Sequence, residues 1–228
     1  MLSSISEYVD FSFSYNILPS FLAFMIRKFL IKENYRNFID LIISIKPLQI
    51  KEEIIEFLNY MKKNKVNIVL EIGTANGGTF FLFSRIANRS AELLSIDCYP
   101  SSNCRGYPDY KIPLYRSFAC SNQKVHLLRA NSHDPKTLES IKRILKGKKI
   151  DLIFIDGDHS YDGVKKDFKM YFPLVREGGI MAFHDIAPRP KESPFQVDRF
   201  WNEIKEEFKY IEIGNKDHGI AGIGILFV

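Results

Sequence analysis

An open, mainly parallel α/β sheet with helices on both faces is the fold this sequence predicts, and three observations predict it. From Val66 onward, short β-branched or apolar runs alternate with amphipathic stretches four or five times. Such alternation builds strand–helix–strand units, whose crossovers are right-handed and whose strands are parallel. The run Ile150–Asp156 is apolar at nearly every position, as expected of a strand covered on both faces. The last two apolar runs have no helix between them, so one of them runs antiparallel to the rest.

Taken in order, residues 1–64 show no strand alternation. Leu41, Ile42 and Ile45 fall at helical spacing, and so do Ile54, Ile55, Leu58 and Met61. The second set follows Pro47 and begins near Gln49, a helix start. Residues 1–64 are therefore expected to form a helical extension of two or three helices that covers the core, caps a substrate or makes an oligomer contact. The main domain is expected over 65–228. Its first strand is Val66–Glu71, followed by a helix over Gly77–Asn88 and a strand over Ala91–Asp97. Val125–Arg129 is the next strand, with a helix around Lys136–Leu145. Strand Ile150–Asp156 leads to a helix over Tyr161–Phe172, and strand Gly179–His184 to a helix over Gln196–Phe208. Tyr210–Ile213 and Ile223–Val228 finish the chain as two strands around the turn-rich Gly214–Gly222. The stretch 98–124 is long for a loop and carries Tyr99, Tyr107, Tyr110, Tyr115 and Phe118. Long ordered loops of this kind act as lids, and its aromatics suit an apolar or ring-shaped ligand.

Composition sets bounds on function. Of 228 residues, 46% are apolar and 26% charged, which is globular rather than disordered. A chain this long buries roughly 70% of its unfolded surface. Lys and Arg number 32 against 27 Asp and Glu, so the net charge is only +5. That balance demands neither nucleic acid nor an anionic membrane. The three cysteines, Cys98, Cys104 and Cys120, show no CxxC spacing, and free thiols in a reducing compartment are expected. Glu7 and Asp10 interrupt the first apolar stretch, so no signal peptide is expected. Phe21–Ile31 contains Arg27 and Lys28 and is far shorter than the roughly 20 residues of a membrane span. A cytoplasmic protein with no stable membrane insertion follows as an expectation.

Ligands of open sheets bind beyond the carboxyl ends of the strands. Beyond the first strand stands Glu71-Ile-Gly73-Thr74-Ala-Asn-Gly77-Gly78. Gly73 permits a tight turn; Gly77 and Gly78 let a ligand approach backbone at a helix start, where free N–H groups point outward. The spacing is not GxGxxG, and Glu71 disfavours a pyrophosphate while tolerating a ligand with positive charge. About 20 residues beyond the turn, Asp97 suits a ribose diol. Asn131 and Ser132 follow the third strand and could read an adenine edge. The fourth strand ends in Asp156-Gly157-Asp158-His159-Ser160-Tyr161 and the fifth in His184-Asp185. Adjacent strands would gather Asp156, Asp158 and Asp185 into a knot of like charge, which calls for a cation or a proton. Carboxylate-rich sites suit Mg²⁺, Ca²⁺ or Mn²⁺, and His159 and His184 titrate near neutral pH.

These residues carry a resemblance. The run from Val69 through Gly78, with Ser95-Ile-Asp97, Phe154-Ile-Asp156-Gly-Asp158-His159-Ser-Tyr161 and Gly178 through Asp185, resembles the class I S-adenosylmethionine-dependent methyltransferases. It is most similar to the branch that includes macrolide-sugar O-methyltransferases and cephalosporin-hydroxylase-like proteins. Gln49 with Glu52-Glu53, and Phe200-Trp201, continue the match, which covers about residues 47–228. The resemblance implies a Rossmann-like seven-stranded, mainly parallel sheet with an antiparallel last strand. It implies that Glu71, Gly73, Thr74, Gly77, Gly78, Asp97, Asn131, Ser132 and Asp156 bind S-adenosyl-L-methionine. It implies a divalent metal, Mg²⁺ in relatives, held by Asp156, His184 and Asp185, although His184 stands where relatives carry an acid. It implies a general base at Asp158 or His159, of which His159 has the pKa closer to working pH. A small-molecule hydroxyl acceptor, sugar or phenol, is expected, with assembly as a homo-oligomer and no nucleic-acid partner. Two other readings compete: a nicotinamide-dependent oxidoreductase, disfavoured by the missing GxGxxG, and a non-catalytic cofactor-binding protein of the same fold.

Overall fold

A computed structural model describes residues 47–101, 106–214 and 221–228. The chain divides into units Met1–Pro47 and Leu48–Val228, and the second is described here. The helices expected before residue 47, Cys104, and most of the turn before the last strand lie outside the described residues.

Helix α1 (Lys51–Lys62) leads into strand β1 (Ile68–Ile72) and helix α2 (Gly78–Ile86). Strand β2 (Glu92–Asp97), short helix α3 (Ile112–Arg116), strand β3 (Lys124–Arg129) and helix α4 (Pro135–Leu145) follow. Then come β4 (Ile150–Ile155), α5 (Tyr161–Tyr171), β5 (Val175–His184), α6 (Val197–Ile204), β6 (Lys209–Ile213) and β7 (Ile223–Phe227). The seven strands form one sheet in the order β3-β2-β1-β4-β5-β7-β6. Strands β1 to β5 are parallel, with Leu70 beside Leu94 on one side and Ile153 on the other. β7 is the antiparallel strand: it lies between β5 and β6, with Ile225 facing Ala182 and Ile211. The expected seven-stranded architecture is therefore observed, and the insertion of β7 between β5 and β6 is added by the structure.

Alternation places the core on both sides of the sheet. β4 is buried at every position because its two faces serve different layers. Phe154 meets Phe57 of α1 and Phe83 of α2, each with ring centroids 5.5 Å away. Ile153 and Ile155 belong to the opposite cluster, with Val164, Phe183, Phe200 and Trp201. Asp151 is the polar exception in β4. Its Oδ2 accepts the backbone N–H groups of Asn67 and Ile68, each at 2.8 Å, and its Oδ1 meets Arg176 Nε at 2.6 Å. It thereby pins the start of β1 and the lower part of β5 to β4.

The stretch 98–124 is more structured than its composition implied. It holds α3 and packs Tyr107, Tyr115 and Phe118 as buried rings, with Tyr115 stacked on Phe118 at 5.3 Å. Cys98 is disulfide-bonded, which corrects the expectation of three free thiols; Cys120 is free.

Candidate active site

The parallel strands deliver their carboxyl ends to one rim, and the register brings the glycine turn there first. Gly73 N donates to Ile96 O at 2.9 Å, and Asp156 N donates to Ile72 O at 2.8 Å, so the ends of β1, β2 and β4 are bonded side by side. Gly73 has φ +90°, and a Cβ there would lie 2.0 Å from Asp156 O, so backbone contact with β4 requires glycine. Gly77 has φ +83° and opens α2; a Cβ there would lie 2.5 Å from the Tyr115 ring, which lies over the turn. The Tyr115 hydroxyl donates to Ala75 O at 2.7 Å. Thr74 Oγ1 and Ser95 Oγ share a hydrogen bond of 2.6 Å, which ties the turn to β2.

Two carboxylates face this turn. Glu71 is fully buried, burial pushes its carboxyl well above the ordinary value, and its Oε2 has no partner among the described residues. Asp97 accepts Ala75 N at 2.7 Å on Oδ2 and Cys98 N at 2.8 Å on Oδ1. Burial raises its pKa, against the pull of those N–H groups. Each of its oxygens keeps a lone pair for a further donor. Glu71, Gly73, Thr74, Gly77, Gly78 and Asp97 are thus gathered around one turn. Asn131 and Ser132 follow Ala130, whose N–H donates to Asp97 O at 2.8 Å; Asn131 Oδ1 accepts His133 N at 2.8 Å, and Ser132 O accepts the Tyr171 hydroxyl at 2.8 Å.

The second cluster lies at the ends of β4 and β5. His159 stands between two acids, with Nε2 3.2 Å from Asp156 Oδ1 and Nδ1 3.3 Å from Asp185 Oδ2. His184 Nδ1 lies 3.1 Å from Asp156 Oδ1. Arg189 Nη2 bonds Asp185 Oδ1 at 3.0 Å. Burial works to lower both histidines, but the carboxylates outweigh it, raising His159 and lifting His184 to about 10. The same contacts hold Asp156 well below the carboxylate range and lower Asp185, although burial alone would raise both. Two imidazoles and the Arg189 guanidinium of the chain itself thus face the Asp156–Asp185 pair. Asp158 is not in that knot. Its carboxylate is exposed, accepts Ser160 N at 2.9 Å and packs against Gly163 at the start of α5.

Asp156, His184 and Asp185 each offer one donor atom, all within 4.8 Å of one another. His184 Nε2 is buried without a hydrogen-bond partner among the described residues. Two carboxylates and an imidazole fit a divalent ion, and the imidazole shifts the preference from Mg²⁺ toward Mn²⁺, Co²⁺ or Zn²⁺. The orphaned Glu71 oxygen likewise fits a ligand that carries an ammonium or sulfonium charge. Three contributors went unassigned from sequence. Gln49 Nε2 donates to Asp156 Oδ2 at 2.7 Å while Gln49 Oε1 accepts Thr79 Oγ1 at 2.6 Å. Arg189 carries a cation four residues past Asp185, a spacing that was legible. Phe195, 42% exposed, places its ring 5.1 Å from that of His159.

Known proteins share this fold. Among solved structures, the O-methyltransferase TomG from Streptomyces achromogenes in complex with SAM matches at 17% identity and TM-score 0.56, over 76% of this chain and 78% of that one. The O-methyltransferase from Bacillus cereus in complex with SAH matches at 16% identity and TM-score 0.58, over 89% and 95%. The cofactor-bound Rv0187 from MTB matches at 18% and 0.60, over 92% and 96%. These likenesses are of fold. Two uncharacterized proteins align in sequence: one of Sinorhizobium fredii (strain NBRC 101917 / NGR234), 26% identical over 60% of this chain, and one of Acanthamoeba polyphaga mimivirus, 30% identical over 56%. The alignments span 15% and 54% of those proteins' own lengths. Residues 70–186, just over half of the chain and running from within β1 to just beyond β5, match the family described as Methyltransferase domain, and the chain belongs to that family.

Proposed function

We propose that the chain transfers a methyl group from S-adenosyl-L-methionine to a hydroxyl of a small sugar- or phenol-like acceptor, with a divalent ion assisting. The observation that carries this reading is His159, a base wedged between Asp156 and Asp185 on the same rim as the Glu71–Gly73–Asp97 cradle. Glu71 would face the cationic methionine end, Asp97 the ribose hydroxyls, and the N–H groups at the start of α2 the carboxylate. S-adenosyl-L-methionine supplies a sulfonium methyl already activated toward an oxygen nucleophile. The chain's task is to hold the acceptor oxygen in line and remove its proton, which His159 takes on an imidazole nitrogen. A divalent ion on Asp156, His184 and Asp185 would lower the acceptor's pKa and draw off the carboxylate field that keeps His159 protonated. Positioning supplies most of the rate in such a transfer, because no covalent intermediate is needed.

Calorimetry with S-adenosylhomocysteine, followed by methyl transfer to hydroxylated sugars and phenols with Mn²⁺, Mg²⁺ or chelator, tests the proposal. Binding and metal-stimulated transfer to oxygen are expected. Absence of S-adenosylhomocysteine binding would refute the cofactor assignment. Binding with transfer to nitrogen alone would refute the acceptor.

A further inference from the structure

A cavity lies along one edge of the sheet. It is a trough of about 820 Å³ between the outer edge of β3 and helix α4. Leu128 and Ile144 form a half-buried apolar floor. Five exposed bases line it: Lys124, Lys136, Arg143, Lys146 and Lys148. Its two acids are already engaged, Glu92 with Lys148 and His126, and Asp134 as the cap that accepts Lys136 N at the start of α4. Lys124, Lys136, Arg143 and Lys146 form no ion pair among the described residues.

Among the described residues, the strand beside the trough is unpaired on that side. β3 ends the sheet order, and its amides at Lys124 and Ala130 are bonded to Ala91 and Asp97 on the β2 side. Alternate residues of a parallel strand address the same neighbour. The backbone groups of Val125, Leu127 and Arg129 therefore point outward. Lysine on an edge strand alone serves to discourage pairing. Here four of the five bases lie off the strand, on α4 and the turn that follows it, so they line a concavity and do not merely mask an edge.

We propose that this trough docks an extended acidic peptide segment of a partner protein, which adds to β3 as an eighth strand. Outward backbone groups would bind its main chain, and side chains at alternate positions would enter the trough and meet the bases. Six residues of β3 allow a contact about 20 Å long. A single-stranded nucleic acid fits the trough less well. Its lining holds no Phe, Tyr or Trp on which bases could stack, and Arg129 turns its guanidinium away onto Tyr99 and Tyr107.

The test uses the full chain and a fluorescein-labelled eight-residue peptide that alternates glutamate with valine, read by anisotropy. Saturable binding is expected, weakened by salt and by about tenfold or more in Lys124→Glu/Arg143→Glu, with circular dichroism confirming that the variant is folded. The same peptide N-methylated at alternate amides is expected to lose binding, because only strand addition needs those N–H groups. Equal binding of the N-methylated peptide would overturn strand addition. Tighter binding of an oligothymidylate that displaces the peptide would overturn the partner class. No binding of any probe would overturn the docking site.

Discussion

Gln49 and Asp156 are 107 positions apart in sequence and joined by a 2.7 Å hydrogen bond from Nε2 to Oδ2. That bond orients the carboxylate so that Oδ1 faces His159 and His184. Through Thr79 Oγ1, which donates to Gln49 Oε1, the same amide ties the first turn of α2 to the end of β4. One side chain thus couples the glycine turn to the acid–imidazole cluster.

Removing that coupling has a measurable consequence. Gln49→Ala frees Asp156 to rotate, and Mn²⁺ affinity measured by calorimetry is expected to fall by about 10- to 100-fold, the usual cost of losing a partner of a metal ligand. An unchanged affinity would show that Asp156 is held without it.

The two candidate bases separate by mutation. His159→Ala should lower kcat for methyl transfer by about 10²–10⁴, the ordinary contribution of a positioned base. Asp158→Asn should leave kcat within about threefold, because its carboxylate accepts Ser160 N ahead of α5 and stands outside the acid–imidazole cluster. The reverse order would transfer the role to Asp158.

Stability should depend on pH in a stated direction. His184 and His159 are raised in the folded protein, so their contribution is complete below about pH 6.5, the unfolded value. It is lost as pH rises through the folded values, about 10 for His184. Asp156 and Asp185 are lowered, so theirs is present above the unfolded carboxylate pKa and lost as pH falls through the folded ones. Metal-free protein should melt highest between these windows, and His184→Gln should flatten the alkaline decline. Melting curves across pH check both; an alkaline decline as steep in His184→Gln as in the unmutated protein would contradict the assignment.

Asp151 supports the sheet rather than the site. Asp151→Ala leaves the part-buried amide of Asn67, the buried amide of Ile68 and Arg176 without their acceptor, and a loss of about 2–4 kcal/mol in urea unfolding is expected. S-adenosylhomocysteine affinity should be unchanged, since these contacts lie at the opposite end of β4 from Asp156.

Much of this was legible in one dimension, and the limits of that legibility are physical. Whether a segment is strand or helix follows from neighbours a few residues away. Ile150–Ile155 could be read as a doubly covered strand, and the turn from Glu71 to Gly78 as a ligand cradle. The convergence of Asp156 with Asp185 followed from parallel strands that deliver their ends to one rim. The boundary of β5 was less legible: it begins at Val175, ahead of Gly178 and Gly179, because Arg176 and the last residue of the chain hold that stretch in the sheet.

Residue types and their periodicity sufficed to specify the layers, the seven strands and the chemical kinds gathered at the rim, because those depend on local sterics and on burial of apolar faces. Which carboxylate joined the cluster did not follow from type: Asp156 faces His159 and His184, while Asp158, two positions on, turns to solvent. Nor did the placement of β7 inside the sheet, the amide of Gln49 on Asp156, or Arg189 on Asp185. These depend on long-range packing and on charges that must find partners once buried, and such distances exist only after the chain has closed on itself.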